Sequence, residues 1–274
     1  MNSVAATLRE AANQLGDISD TARLDAELLM AHALGISRSQ MLLSGSGLEV
    51  PRQFADLLQR RTNYEPVAYI LGHQEFFGRE FLVTPDVLIP RPDSETIIET
   101  ALANCQPDAR ILDLGTGSGV LLLTLLAELP QSTGIGIDES LAAVSVAAAN
   151  AAKLGVADRA HLIHADWTED GWADALGRFD LIVANPPYVE TTVALEKSVA
   201  DYEPAKALYA GPDGLDDYRI LVPQLRNLLT QQGVAVLEIG YQQDVSVARI
   251  AQQSGFQTEL HRDLAHRPRA LLLR

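Results

Sequence analysis

The sequence contains a single cysteine, Cys105, so no disulfide can form within the chain. Its six histidines show no spacing typical of a zinc site. The longest apolar run, VLLLTLLA at 120–127, is far too short to span a bilayer, and the first residues carry Arg9 and Glu10 where a signal peptide needs an apolar core. These absences predict a cytoplasmic protein with no metal site and no membrane role.

Basic residues are also scarce. The chain has 21 Lys and Arg against 36 Asp and Glu, which gives a formal net charge of −15. Nucleic acid would have to bind against this overall field, so we predict no direct nucleic-acid binding. A local group of arginines near the C-terminus is interpreted as a solvated strand edge; it consists of Arg262, Arg267, Arg269 and Arg274.

The 274 residues and the 47% hydrophobic content are typical of a soluble protein with two domains. Residues 1–72 show helical spacing of apolar residues and predict a small helical domain. Two faces carry this prediction: one consists of Val4, Leu8, Ala11 and Leu15, and the other of Leu24, Leu28 and Ala31. Short β-rich runs broken by Gly78 and Pro85 then predict a β-hairpin linker over 73–90.

From 91 to 274 apolar strand runs alternate with helical stretches. The predicted strands are ARILDLG, STGIGID, RAHLIHAD, FDLIVAN, GVAVLEIG, FQTELHRD and RALLLR. This alternation predicts an α/β domain with a mostly parallel, Rossmann-like sheet, and the short connection between the last two strands indicates that one of them is antiparallel. In such sheets ligands bind beyond the carboxyl ends of the strands.

The segment DLGTGSG at 113–119 lies between a predicted strand and a predicted helix. Its residues Gly115, Thr116, Gly117, Ser118 and Gly119 form what we call the glycine loop. Glycines let the backbone turn sharply and pass close to a ligand. A tight turn without a ligand would look the same, so the loop alone is weak evidence for a site.

Ligand-capable side chains follow the next two predicted strands. Asp138 ends one strand, where its carboxylate could accept hydrogen bonds from ribose hydroxyls, and Asp166 with Trp167 ends the next, offering an acceptor and an aromatic face to adenine. Two acids, Asp113 and Asp138, would repel a pyrophosphate but favour a sulfonium cation. The pattern therefore predicts S-adenosylmethionine rather than NAD.

The fourth strand run ends in Asn185, Pro186, Pro187 and Tyr188, which we call the NPPY corner. The asparagine amide supplies one acceptor and two donors, and the prolines fix φ, so the corner could hold an –NH2 group rigidly. Tyr188 could cover a flat carboxamide or nucleobase. We predict that Asn185, Pro186 and Tyr188 act in catalysis by positioning a nitrogen lone pair, with no general base. A β-turn with a packed tyrosine is the alternative.

Taken together, these segments resemble the HemK/PrmC family of protein glutamine methyltransferases. The resemblance is carried by five segments: residues 69–95 with the family-specific IPRPDSE, then DLGTGSG, NPPY, EPAKALYAGPDGLDDYRIL at 203–221, and EIGYQQ at 238–243. It implies a class I S-adenosylmethionine-dependent methyltransferase domain over 91–274, preceded by a substrate-recognition domain over 1–72. The implied partner is the GGQ-bearing domain of class I peptide chain release factors.

The resemblance also implies roles for individual residues. The glycine loop, Asp138, Trp167 and Asn185 would contact the cofactor, and the NPPY corner would bind the substrate glutamine. Arg91 would lie near the same pocket, although an ion pair with Asp93 or Glu95 explains it equally well. Near the C-terminus this chain reads DLAHRPR where the family carries DLAGxDR, which leaves the form of that turn open.

Three other functions remain open at this point. A sibling enzyme could methylate a glutamine in a ribosomal protein, and an exocyclic base amine in DNA or RNA would present the same –NH2 group on a flat ring. A non-enzymatic adaptor could bind the cofactor without turnover. The sequence does not say which release factor is preferred.

Overall fold

The computed structural model describes residues 3–44 and 47–274. By internal contacts the chain divides into two compact units. One contains the chain up to His73 together with Leu195–Tyr202, and the other contains Gln74–Ala194 and Glu203–Arg274. The short segment 195–202, which lies inside the domain predicted over 91–274, thus groups with the helices.

The first unit is helical. Its helices are α1 (Val4–Leu15), α2 (Ala22–Leu34), α3 (Arg38–Leu43), α4 (Phe54–Thr62), α5 (Val67–Leu71) and, from the later segment, α9 (Lys197–Ala200). Ser3 caps α1 by accepting a hydrogen bond from the Ala6 amide. The buried face of α1 is the predicted one, Val4, Leu8, Ala11 and Leu15, because helical periodicity alone decides which side faces the core.

The predicted face of α2 was wrong in part. Ala31 is buried as predicted, but Leu24 is exposed. The helix also buries Ala26, Leu29 and Met30 together with two acids. One of these acids, Asp25, accepts a hydrogen bond from the guanidinium of Arg61 on α4 at 2.8 Å. An acid paired in this way can face the core, so the apolar pattern alone does not define the buried side of α2.

A hairpin of β1 (His73–Phe76) and β2 (Arg79–Leu82) follows, and all of it except His73 belongs to the second unit. Its remaining strands are β3 (Arg110–Leu114), β4 (Thr133–Asp138), β5 (Ala160–His164), β6 (Phe179–Ala184), β7 (Leu229–Glu238), β8 (Thr258–Arg262) and β9 (Pro268–Leu273). Its helices are α6 (Glu95–Asn104), α7 (Val120–Glu128), α8 (Leu141–Lys153), α10 (Asp216–Leu228) and α11 (Asp244–Gln253). Short 3-10 turns cover 92–94 and 205–207.

The large sheet has the strand order β5-β4-β3-β6-β7-β9-β8. Strands β5 to β7 pair in parallel, whereas β9 runs antiparallel to both of its neighbours. The fold prediction of a mostly parallel α/β sheet with an antiparallel strand at the end is thus confirmed. The chain winds outward from β3 in one direction and returns to place β6 on its other side, so the switch in winding lies between β3 and β6.

Apolar cores cover both faces of this sheet. Alternate strand residues face opposite sides: Ile111 packs with helices α6 to α8, whereas Leu112 and Leu114 pack with α10 and α11. No helix within residues 3–44 and 47–274 is long and apolar enough to cross a membrane.

The C-terminal arginines do not all lie at a solvated edge. Arg269 is buried, and its guanidinium donates to Asp93 at 2.8 Å and lies 3.5 Å from Asp263. The side chain of Asp263 also accepts from the amides of Ala265 and Arg267, which closes the turn between β8 and β9. The prediction of a solvated edge is therefore wrong for Arg269, because a buried arginine is stable where carboxylates surround it.

His266 occupies a left-handed backbone conformation in this turn, with φ of 60°. It stands where the family pattern DLAGxDR has glycine. The turn therefore has a positive φ at a position that suits glycine, although this chain has His266 there. The Cβ of His266 makes this conformation strained.

We expect His266→Gly to stabilise the protein by about 1 kcal/mol, because glycine adopts positive φ without steric strain. Urea denaturation monitored by circular dichroism measures this change in the free energy of unfolding. The control is Ala265→Gly in the same exposed turn, where φ is not positive, and it should give no gain. Equal effects of the two substitutions would contradict the assignment of strain to His266.

Candidate active site

A cavity of about 550 Å³ opens at the carboxyl ends of the central strands. In the parallel pairing of β3 with β6, Leu114 is aligned with Ala184. The next residues, Gly115 and Asn185, therefore leave the sheet side by side at its switch point. The cavity wall includes most of the predicted site: Arg91, Gly115, Thr116, Gly117, Ser118, Asp138, Asp166, Trp167, Asn185 and Pro187.

The glycine loop has the conformation that its sequence predicts. All three of its glycines have positive φ. The Gly115 and Thr116 amides donate to Ile137 O at 3.0 and 2.8 Å, which anchors the loop to β4. Gly119 precedes α7, and a Cβ there would lie 2.7 Å from a Leu123 methyl. Glycine is thus required for close packing as well as for the turn.

Asp113 lies beneath the loop and is fully buried. Its Oδ2 accepts from the Thr116 hydroxyl at 2.7 Å and from the Leu122 amide at 3.3 Å, whereas its Oδ1 has no partner among the described residues. Burial raises the pKa of Asp113 to about 7, and the nearby Asp138 carboxylate adds to this rise. A negative charge at this position is therefore only weakly stabilised by the protein itself.

Asp138 ends β4 on the cavity wall. Its two oxygens accept from the Gly117 amide at 2.8 Å and the Ser140 amide at 2.9 Å. Each carboxylate oxygen keeps a second lone pair, so both can still accept a hydroxyl of a ligand. Burial raises the pKa of Asp138, and the hydrogen bonds to the two amides oppose this effect.

The loop after β5 supplies Asp166 and Trp167. Hydrogen bonds from Thr168 lower the pKa of Asp166. Trp167 lies against the glycine loop, since a Cβ at Gly115 would be 3.2 Å from its ring. Burial raises the pKa of Asp217, and the nearby Trp167 side chain opposes this rise. The Trp167 carbonyl accepts from the Gln224 side-chain amide at 3.1 Å, which fixes the backbone of this residue on the cavity wall.

The NPPY corner is placed at the cavity in part. Asn185 and Pro187 lie on its wall, and no hydrogen bond within the described chain occupies the Asn185 side chain. Pro186 is buried and does not line the cavity. Tyr188 is half-buried and donates its hydroxyl to Glu238 at 3.2 Å. The asparagine amide is the group of this corner that remains available to a ligand.

Arg91 lies on the cavity wall and forms an ion pair, but not with Asp93 or Glu95 as the alternative prediction held. Its guanidinium contacts Glu203 Oε1 at 2.6 Å, and Glu203 Oε2 accepts from the Ile89 amide at 3.2 Å. Asp93 pairs with Arg269, and Glu95 accepts from a backbone amide. Glu203 is far away in sequence, so local spacing could not identify it as the partner.

Sequence reasoning missed several residues of the site. The wall also includes Ser94, Asp217 and two irregular loop segments, 85–88 and 204–207. All of them lie within the segments that carry the family resemblance, so a signal was present in the sequence. Their approach to the glycine loop depends on tertiary folding and not on local pattern.

The wall fits an adenosyl ligand that carries a positive charge. Acids Asp138, Asp166 and Asp217 line the cavity, and the partnerless Asp113 oxygen lies beneath it. The hydroxyl of Ser118, buried in the glycine loop, also lacks a partner within the described chain. A cation would relieve the repulsion between these acids, and the Trp167 ring offers an apolar surface for a base.

The raised pKa of Asp113 predicts how stability depends on pH. The folded protein retains this proton between about pH 4 and 7, where the unfolded chain has lost it, so this residue lowers stability as pH rises. Asp113→Asn removes the effect. We expect the stability of the wild type relative to this variant to fall by about 3 kcal/mol from pH 4 to pH 7, measured by urea denaturation.

Asp166→Asn is the control of opposite sign. The pKa of Asp166 is lowered, so its carboxylate stabilises the fold above its unfolded pKa and this contribution is lost as pH falls. The wild type should therefore gain stability relative to Asp166→Asn as pH rises. A pH-independent difference for Asp113→Asn would refute the assignment of a buried, weakly stabilised charge.

Two protein families match the chain. Residues 6–72 match the family described as PrmC N-terminal domain, and residues 93–202 match the family described as Methyltransferase small domain. A solved methyltransferase from Pyrococcus furiosus superposes with a TM-score of 0.53 at 15% identity, covering 72% of this chain and 89% of that one. At this low identity the likeness concerns the fold, and it agrees with the fold prediction.

Curated relatives extend along most of the chain. The release factor glutamine methyltransferase of Rhodospirillum rubrum is 43% identical over 259 residues, which cover 92% of this chain and 78% of that protein. The enzyme of the same name from Caulobacter vibrioides is 39% identical over 262 residues, covering 92% and 89%. The predicted resemblance is thereby confirmed: the chain belongs to the family of release factor glutamine methyltransferases.

Proposed function

We propose that this protein transfers a methyl group from S-adenosylmethionine to the side-chain amide nitrogen of the glutamine in the GGQ motif of class I peptide chain release factors, and so modulates translation termination. Family membership makes the protein a methyltransferase. One observation carries the assignment of the site. An asparagine amide without an internal partner among the described residues stands beside the glycine loop on the wall of an acidic cavity.

The cofactor side of the cavity is the glycine loop with Asp138, Asp166 and Trp167. S-adenosylmethionine, when bound, supplies a methyl group on a sulfonium cation. The free lone pairs of Asp138 would accept the ribose hydroxyls, and Trp167 with Asp166 would hold the base. The buried charge of Asp113 would favour the sulfonium through the field that it creates.

The substrate side is the NPPY corner with Arg91. The Asn185 side-chain carbonyl would accept an N–H group of the glutamine amide, which orients its nitrogen lone pair, and Pro186, which does not line the cavity, would fix the angle of this corner. Pro187 would bound the flat carboxamide, with Tyr188 behind it, and Arg91, fixed by Glu203, would border the entrance. Positioning of this kind contributes about 7–11 kcal/mol in favourable cases.

No side chain is assigned as a general base. The lone pair of an amide nitrogen is delocalised, and its proton becomes acidic only after alkylation makes the nitrogen cationic. The proton can then leave to water. The residues of the corner therefore orient the nucleophile, and none of them must remove a proton beforehand.

The helical unit is proposed to hold the release factor, and the reaction is proposed to take place in the cytoplasm. The match of residues 6–72 to the PrmC N-terminal domain and the names of the curated relatives support this assignment. The net charge of −15 suits a partner with a basic surface.

Substitution of Asn185 tests the substrate role. We expect Asn185→Ala to lower kcat/KM for a purified release factor at least about 100-fold, because an unaligned amide reacts slowly. The assay is transfer of label from S-adenosylmethionine, with the labelled residue located by mass spectrometry. Labelling of the GGQ glutamine that survives Asn185→Ala would refute the role.

The matched control is Asn104→Ala at the end of α6, which does not line the cavity and should retain activity. A ribosomal protein with a methylatable glutamine and an adenine-containing oligonucleotide serve as competing acceptors in the same assay. If the wild type methylates the ribosomal protein or the oligonucleotide faster than the release factor, the proposed substrate is wrong.

Added salt tests the electrostatic part of the proposal. We expect the association rate with a release factor to fall at least about tenfold between roughly 20 and 500 mM NaCl, because screening weakens attraction between an acidic enzyme and a basic partner. Stopped-flow fluorescence measures this rate. A rate that does not change with salt would show that net charge does not guide the encounter.

A further inference from the structure

Glu238 lies behind the NPPY corner at the end of β7 and is 1% exposed. Both of its carboxylate oxygens accept a hydroxyl: Oε1 accepts from Tyr188 at 3.2 Å, and Oε2 accepts from Ser94 at 2.5 Å. It opens the segment EIGYQQ, which resembles the family but received no role in the proposed reaction. Burial of a carboxylate is costly, and Glu238 offsets part of this cost through its two hydroxyl donors while lying outside the cavity.

The two donors belong to different segments of the substrate side. Ser94 lies on the cavity wall in the segment IPRPDSE, whereas Tyr188 directly follows the wall residue Pro187 and does not itself line the cavity. These segments are far apart in sequence. Glu238 joins them through one side chain, because one of its oxygens accepts from each.

The backbone of Tyr188 is held by the same EIGYQQ segment. The Gln243 side-chain amide donates to the Tyr188 carbonyl at 3.0 Å and to the Gly214 carbonyl at 3.1 Å, and its own carbonyl accepts from the Gly240 amide at 3.0 Å. A Cβ at Gly214 would lie 2.3 Å from the Tyr188 carbonyl oxygen, so the surrounding backbone is packed closely. What remains to be fixed is the phenol ring, whose only hydrogen-bonding group contacts Glu238.

Groups around Glu238 offset only part of the cost of its burial, and its pKa remains raised. Desolvation raises the pKa of Glu238, and the Ser94 hydrogen bond and the nearby Arg269 guanidinium oppose this rise. Arg269 is itself held by Asp93 and Asp263. The carboxylate is thus one member of a buried network that also includes the turn at the sequence DLAHRPR.

We propose that Glu238 is a positioning residue of the methyl transfer: by accepting the hydroxyls of Tyr188 and Ser94, it fixes the tyrosine behind the wall residue Pro187 relative to Ser94 and so holds both parts of the wall at the spacing that the substrate carboxamide needs. This inference rests on the proposed function. Glu238 touches neither ligand, because it does not line the cavity. It acts through Tyr188, and displacement of a wall by about 1 Å can cost about 100-fold in rate.

The test compares Glu238→Gln, Tyr188→Phe and the double variant in steady-state methylation of a release factor. We expect each single variant to lower kcat about 10- to 100-fold, with the Kd for S-adenosylhomocysteine, measured by calorimetry, changed less than about threefold. The double variant should lose no more than the more severe single variant, because both substitutions break the same hydrogen bond. Independent, multiplying losses would overturn the proposal.

Glu259→Gln is the matched control, since Glu259 is an exposed acid on β8, in the same sheet, and should keep wild-type kinetics. A general loss of structure in Glu238→Gln would weaken cofactor binding as well as kcat. Tyr188→Phe keeps the proposal testable in that case, because it removes the same hydrogen bond and leaves the acid with Ser94. Wild-type kcat in Tyr188→Phe would overturn the proposal.

A second readout does not depend on the acceptor. Fluorine NMR of protein labelled with 3-fluorotyrosine, with the Tyr188 signal assigned by its loss in Tyr188→Phe, reports the environment and mobility of this ring. We expect Glu238→Gln to shift or broaden the signal and Glu259→Gln to leave it unchanged; an unchanged signal in Glu238→Gln would overturn the inference. If the wild type methylates no release factor while the signal responds as expected, the proposed function fails. The positioning of Tyr188 by Glu238 is then still supported.

Discussion

The parallel pairing of β3 with β6 is the constraint on which the site depends. Because Leu114 is aligned with Ala184, the glycine loop and the NPPY corner begin at adjacent points of one sheet edge. Both strands are buried, and their side chains pack alternately into two cores, so a shift of register would expose apolar residues. The free energy that fixes this register also fixes the relation between the cofactor side and the substrate side.

The second property of the site is an excess of negative charge that the protein itself does not neutralise. The buried carboxylate of Asp113 keeps one oxygen without a partner among the described residues, and Asp138 lies close enough to raise its pKa. Elsewhere in the chain, buried acids such as Asp25 and Glu203 have an arginine partner. The contrast indicates that the acids beneath the glycine loop bind a positively charged ligand, whereas the acids paired with arginine stabilise the fold.

Prediction of the fold from the sequence succeeded where local pattern decides the outcome. Strand runs, the glycine turn, the α1 face and the position of Asn185 follow from periodicity and from residues with special backbone preferences. The full α2 face, the burial of Arg269 and the partner of Arg91 did not follow. Each of these depends on an ion pair between residues far apart in sequence, for example 112 positions for Arg91 and Glu203. Charge alone does not identify the partner.

The prolines of the NPPY corner explain why such distant partners are needed. Pro186 and Pro187 have no N–H, so the backbone of the corner offers no donor between Asn185 and Tyr188, whose amide contacts Leu208 O at 3.2 Å. Fixed φ angles stiffen the corner internally but do not attach it to the rest of the domain. The Tyr188 amide attaches the corner to Leu208, and the Tyr188 hydroxyl and carbonyl attach it to EIGYQQ. Because the two prolines bring no N–H of their own, these contacts at Tyr188 hold the end of the corner, and Glu238 is the buried acceptor among them.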